Sequence, residues 1–183
     1  GNLYVAELYN HKIRKITSSG VVSTLAGTGS WGSADGDGLT ATFGMPTGIT
    51  IDANGNLYVA EYGNHKIRKI TSSGVVSTIA GTGSTGATDG NGADASFNWP
   101  LMIAADANLN LYVTDFYNHK IRRITTAGFQ ISPQLPSGLS FNVLTGEISG
   151  TPTVATPSTT YTITAYNESG SASIPDWGSQ RNT

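Results

Sequence analysis

The chain alternates short β-branched and apolar runs with clusters of Gly, Asn and Ser, and one stretch shows the pattern in full. Thr47-Gly48-Ile49-Thr50-Ile51-Asp52 is stopped by Ala53-Asn54-Gly55, and Asn56-Leu57-Tyr58-Val59-Ala60-Glu61 follows. The Asn54-Gly55 pair predicts a two-residue hairpin whose central positions both take positive φ. Lys66-Ile67-Arg68-Lys69-Ile70-Thr71 reads as a third strand, reached through the loop Tyr62-Gly63-Asn64-His65. Ser72-Ser73-Gly74 then turns the chain into Val75-Val76-Ser77-Thr78-Ile79-Ala80, the fourth. Gly and β-branched residues interrupt every window long enough to carry a helical period, which excludes a helical reading.

The pattern recurs. Residues 1–30 and 55–84 differ only at Leu8/Tyr62, Tyr9/Gly63 and Leu25/Ile79, and a looser copy begins at Asn108. The offset is 54 residues each time, so His11, His65 and His119 share one position of the unit. A fixed period of this length marks an architecture in which each unit buries its apolar faces against its neighbours. A four-stranded antiparallel sheet that is apolar on both faces suits a propeller blade held between two others. Connections 27–46 and 81–100 each carry an Asp-Gly pair (Asp35-Gly36, Asp89-Gly90), then Phe43 or Phe97, then Pro46 or Pro100. An aromatic at this offset is expected to seat the connection against the blade. After Thr126-Ala127-Gly128 the repeat breaks off, and further on Tyr161-Thr162-Ile163-Thr164-Ala165-Tyr166-Asn167 alternates as a strand.

Composition narrows the function classes. Charged residues make up 12% of the chain, against roughly 25% in an ordinary globular protein, and Gly, Ser and Thr take their place. A net charge of −2 gives no global attraction to nucleic acid or acidic membranes. There is no cysteine, hence no disulfide or thiol chemistry. No apolar run approaches the length of a membrane span. The chain opens at Gly1 within a repeat and reads as a piece of something longer.

The elements DG-x-G, A-x-F-x-x-P, GNLYVAE, NHKIRKI and G-VVSTLAG together resemble the NHL-repeat β-propellers, in a form common among bacterial secreted proteins. The namesake motif stands as Asn10-His11-Lys12, Asn64-His65-Lys66 and Asn118-His119-Lys120. The segments LPxGLxF, TGxISGTP and YTITAxN resemble the later half of the Ig-like modules of bacterial surface proteins. These resemblances imply an all-β chain: an incomplete β-propeller of four-stranded antiparallel blades over 1–127, about two and a half blades, then a partial Ig-like β-sandwich over 128–174. Residues 175–183 match neither pattern and are expected to form a disordered tail. The resemblance also implies an extracellular or cell-surface location.

The conspicuous chemical groups favour scaffold roles. Three histidines invite a metal reading, but residues equivalent by repeat converge only if they point into a central channel, and these sit beside the hairpin turn. His11, His65 and His119 are therefore read as structural, through turn and inter-strand hydrogen bonds. Arg14, Arg68 and Arg122, in basic clusters, each face an acidic residue across the hairpin (Glu7, Glu61, Asp115), within reach of cross-strand pairing. That argues for structure and against a basic surface for RNA. Asp35, Asp37, Asp89 and Asp94 are weak calcium candidates, since Asp-Gly pairs are ordinary turn formers and no bidentate Glu accompanies them. No cofactor is expected, and no nucleophile–base pairing can be argued.

Function is sought where near-identical copies disagree. Leu8-Tyr9, Tyr62-Gly63 and Phe116-Tyr117 occupy one hairpin turn, while Trp31 (against Thr85) and Trp99 (against Met45) vary in the connections. Leu8, Tyr9, Trp31, Tyr62, Trp99, Phe116 and Tyr117 are therefore candidates for contact with a protein or glycan partner, or they pack locally beside each turn. The expected function is a non-catalytic binding or scaffold module. The alternative is a six-bladed propeller enzyme of the lyase or lactonase kind, with its active site largely in other blades. Open blade edges are expected to make the isolated chain self-associate.

Overall fold

The structure is a computed structural model, and it describes residues 1–126, 128–141, 146–154, 157–167 and 170–175. Among the described residues the chain is all-β apart from one 3₁₀ turn, and it divides into two compact units, Gly1–Ile124 and Thr125–Thr183.

The first unit contains three antiparallel sheets. The first sheet orders β1 (Leu3–Glu7), β2 (Lys12–Ile16) and β3 (Val22–Ala26). Within the connection that follows, β4 (Gly36–Asp37) is a two-residue strand. β5 (Pro46–Ile51), β6 (Leu57–Glu61), β7 (Lys66–Ile70) and β8 (Val75–Ala80) form the second sheet. The third has β9 (Pro100–Ala105), β10 (Asn110–Asp115) and, after the 3₁₀ turn Phe116–Asn118, β11 (Lys120–Thr125). The four strands read from residues 47–80 are all present. The complete blade nevertheless has five strands, because β4 pairs with the outer strand β8 through Gly36↔Val76 and Asp37↔Val75.

The β5–β6 turn corrects the hairpin expectation. Within it only Gly55 takes positive φ, at 82°, while Asn54 does not. Asp52 Oδ1 accepts the N–H groups of Asn54 and Asn56, both at 2.9 Å, and Gly55 N–H donates to Asp52 O. An Asp side chain capping its own turn favours a wider loop with one left-handed residue at its end. The third sheet repeats this turn, but Leu109 occupies the left-handed position, at φ 64°.

Two apolar layers hold the sheets together. Ile13, Ala26, Ala41 and Phe43 bury against Leu57, Val59, Ile70 and Val76. Tyr58, Ala60, Ile67, Ile79 and Ala80 bury against Ile103, Leu111 and Val113, with Phe97 between them. β6 therefore buries alternate residues on opposite faces, Leu57 and Val59 on one and Tyr58 and Ala60 on the other, as a strand sandwiched between layers must. β5 lies close beside β9: Thr47 Oγ1 donates to Leu101 O at 2.8 Å, and a Cβ at Gly48 would sit 2.7 Å from that oxygen. Any larger residue at Gly48 would push these strands apart.

In the second unit β12 (Gly128–Ser132), β13 (Leu139–Phe141), β14 (Ile148–Gly150), β15 (Thr162–Asn167) and β16 (Gly170–Pro175) form a three-stranded sheet, β12-β15-β16, and a β13-β14 hairpin. Pro175 ends β16, and the rest of the expected tail, 176–183, lies outside the described residues.

Candidate functional site

The turn between the second and third strands of each blade places its histidine in the left-handed region, at φ 52°, 55° and 53° for His11, His65 and His119. His11 Nδ1 accepts the N–H of Met45 at 3.2 Å, and His65 Nδ1 accepts that of Trp99 at 3.1 Å. Met45 and Trp99 are themselves left-handed, immediately before the strand-opening prolines. Each such residue costs about 1 kcal/mol of backbone strain, so the imidazole fixes a backbone shape that the sequence alone would not favour. Acceptance at Nδ1 requires the imidazole proton on Nε2. Burial holds His65 below the usual histidine range, partly opposed by Asp115, which keeps it neutral for this bond.

The charged positions form a second tie. Arg68 Nη1 meets Glu61 Oε1 at 3.0 Å and donates to Thr42 O at 3.1 Å. Its Nη2 meets Asp35 Oδ1 at 2.6 Å and donates to Ala34 O at 2.9 Å. The guanidinium lies 5.2 Å from the centre of the Phe43 ring. Asn64 Nδ2 bridges Glu61 Oε2 and Gly32 O. One arginine thus joins its own hairpin to the preceding connection at four oxygens. Arg122 repeats the arrangement with Asp115 (2.9 Å), Asp89 (2.6 Å), Ser96 O and Thr88 O, over Phe97 at 5.1 Å, and Asn118 bridges Asp115 and Gly86 O. At the first sheet the Arg14–Glu7 pair is looser, at 3.4 Å, and about a quarter exposed. Burial pushes the Glu61 carboxyl up to about 7, against the opposing pull of Arg68.

The four calcium candidates are dispersed. Asp35 and Asp89 are engaged by arginine, Asp37 Oδ1 accepts the Leu39 N–H, and Asp94 sits exposed in the turn after Asn91. Among the described residues, no group of three or more His, Asp or Glu is placed to hold a metal ion.

Four of the partner-contact candidates form a run of rings. Tyr62 and Trp99 lie 4.4 Å apart, Trp99 and Tyr117 6.1 Å, and Tyr117 and Phe116 5.0 Å. Trp99 also stands edge-on to His65 at 5.0 Å. Burial and the Tyr117 hydroxyl raise the Tyr62 phenol above its usual range. Phe116 and Tyr117 are about half exposed, at 47% and 53%. Trp31 stands apart from the run, edge-on to His11 at 5.4 Å, and Tyr9 projects into solvent while Leu8 is half-buried.

The differences between copies are correlated through space. A Cβ at Gly63 would overlap the Trp31 ring, so the indole of one connection occupies the space that a side chain in the next turn would need. In the following copy the connection carries Thr85, and the turn carries Tyr117. Each seam also sets one indole against its histidine, Trp31 on His11 and Trp99 on His65, from different positions of the repeat. Two contacts escaped sequence reasoning: the Asp35–Arg68 pair and the Trp31–Gly63 fit. The signal for the first was present, since Asp89 and Arg122 stand at the same 33-residue separation.

Comparison with known proteins agrees with this geometry. Residues 43–70 match the NHL repeat model, and residues 106–175 match the model described as Putative Ig domain. The second match begins within the third copy, so it includes β10 and β11, of which β10 pairs with β9. Human NHL repeat-containing protein 2 is 35% identical over 133 residues, 66% of this chain and 18% of that protein. A structural-genomics protein of unknown function from Bacteroides thetaiotaomicron superposes with a TM-score of 0.63 at 28% identity, covering 67% of this chain and 32% of that one. An auxiliary nutrient binding protein from the same species gives 0.59 at 25% identity, covering 66% and 33%. The chain therefore spans about a third of these solved chains and less than a fifth of the human relative. It carries NHL-repeat β-propeller sequence, with the repeat at 43–70 in its one complete blade, together with sequence of the Putative Ig domain family.

Proposed function

We propose that this chain is part of a non-catalytic binding module of a secreted or cell-surface protein, in which the propeller presents its aromatic turn face to a partner. One observation carries the reading. His11, His65, Arg68, Arg122, Glu61 and Asp115 are engaged in ties within and between blades, whereas the rings of Phe116 and Tyr117 are half exposed beside Trp99. Exposed rings on turns of a rigid scaffold supply contact area at small entropic cost. A neighbour described as an auxiliary nutrient binding protein supports a binding role. Among the described residues no helix is long and apolar enough to cross a membrane.

The test is a side-by-side screen of the wild-type chain and a Phe116→Ala/Tyr117→Ala variant on glycan and protein arrays. Binding by the wild type that falls at least tenfold in the variant, with unchanged melting, supports the proposal. Equal binding by both, or turnover of a bound ligand, contradicts it.

A further inference from the structure

We infer that the exposed face of the first sheet is a docking surface for one more connection of the 81–100 kind, carried by a further repeat. This surface is separate from the aromatic turn face, and the inference does not rest on that reading. The three copies supply the comparison, because the same residues meet a connection in the second and third sheets and none in the first. On the second sheet Leu57, Val59 and Val76 are at most 2% exposed, in the apolar layer that Phe43 completes. Their counterparts Leu3, Val5 and Val22 are 65%, 40% and 52% exposed. A contiguous apolar face of this kind marks an interaction surface.

The polar groups on the face define the chemistry of what covers it. Arg68 and Arg122 each give Nη2 to a connection aspartate, Asp35 and Asp89, at 2.6 Å, and lie over a connection phenylalanine. Arg14 has Glu7 at 3.4 Å and Ser23 O at 3.3 Å, and among the described residues its Nη2 meets no acceptor. Asn64 and Asn118 bond the connection carbonyls Gly32 O and Gly86 O, whereas Asn10 reaches only Glu7, at 3.4 Å. Gly44 N–H donates to Glu61 and Asn98 N–H to Asp115, while among the described residues Glu7 receives no backbone N–H. The face therefore fits a segment that brings a carboxylate, backbone carbonyls and, eight residues after the carboxylate, a phenyl ring, as Asp35/Phe43 and Asp89/Phe97 do.

Tyr9 chooses between the two kinds of connection. At the second sheet its position is Gly63, and a Cβ there would overlap the Trp31 ring. At the third it is Tyr117, and the connection carries Thr85 in place of the indole. With Tyr9 in its turn, the first sheet accepts the Thr85 kind and excludes the Trp31 kind, since an indole and a phenol would claim one space.

Extending the 183-residue chain before Gly1 tests this, because a unit copied from residues 55–108 or from 1–54 continues the repeat in frame. With the 55–108 unit, amide hydrogen exchange of Leu3–Glu7 and Val22–Ala26 is expected to slow. In that chain Arg14→Met is expected to shift the unfolding equilibrium by about a hundredfold or more, as loss of one partner of a buried ion pair does. In the unextended chain the same substitution is expected to shift it by less than about fivefold, as at a surface pair. Tyr9→Gly is expected to raise the melting temperature with the 1–54 unit and not with the 55–108 unit. Unchanged exchange, or an equally mild Arg14→Met in both chains, overturns the docking surface. Equal melting with either unit, whatever stands at Tyr9, overturns the assignment to the 81–100 kind.

Discussion

At the residue scale the decisive group is Glu61, a carboxyl with no solvent exposure held by Arg68, Asn64 and the Gly44 N–H. Its folded value of about 7 lies above the ordinary 4.5, so the folded chain holds this proton more tightly than the unfolded chain does. The resulting stability is complete below pH 4.5 and is lost as pH rises through about 7. Urea unfolding at pH 5 and pH 8 of wild type and Glu61→Gln should reveal it, because His65 and the other titrating groups are common to both. The wild type is expected to lose on the order of 3 kcal/mol relative to the variant between those pH values. A constant difference would show that Glu61 stays ionised throughout. Leu109 is the residue most at odds with its backbone, at φ 64° where the second copy has Gly55. Leu109→Gly removes that strain but gives back unfolded-chain entropy, so a gain of about 0.5 kcal/mol in melting experiments is expected.

At the element scale the strands were legible because β-branched runs and turn residues repeat almost letter for letter. β4 was not, since Gly36-Asp37 carries no strand signal and gains its pairing only from β8. The turn after β5 was assigned too tight a geometry because the Asp52 side chain, rather than the Asn54-Gly55 pair, organises it. The candidate site was half legible. The variable aromatics were found by comparing copies, but their distribution between packing and exposure follows from contacts across seams that no single repeat contains. Trp31 over Gly63 is the clearest case, and it makes a coupled expectation. Gly63→Tyr alone should cost about 1–3 kcal/mol through overpacking. Trp31→Thr in the same chain, which recreates the Thr85/Tyr117 pair, should recover most of that loss in a double-mutant cycle. Simple addition of the two effects would mean that these residues do not share one space.

At the scale of the whole molecule, the sheets of Gly1–Ile124 depend on one another: no sheet has a private core, and both apolar layers lie between sheets. The outer sheets leave Leu3, Met102 and Ile121 exposed at 65%, 58% and 67%. Light scattering of the isolated chain is therefore expected to show concentration-dependent association, and a monodisperse monomer up to high concentration would refute that. The central claim is that the repeated charged residues build these seams rather than a ligand site. It is tested most directly by the unfolding free energy of Arg68→Met at pH 8 and low micromolar concentration. Removing the guanidinium strands a buried carboxylate and frees the connection that carries Asp35, so the account expects a loss of about 3–5 kcal/mol. A variant within about 0.5 kcal/mol of the wild type, inside the ordinary range for surface substitutions, would contradict it.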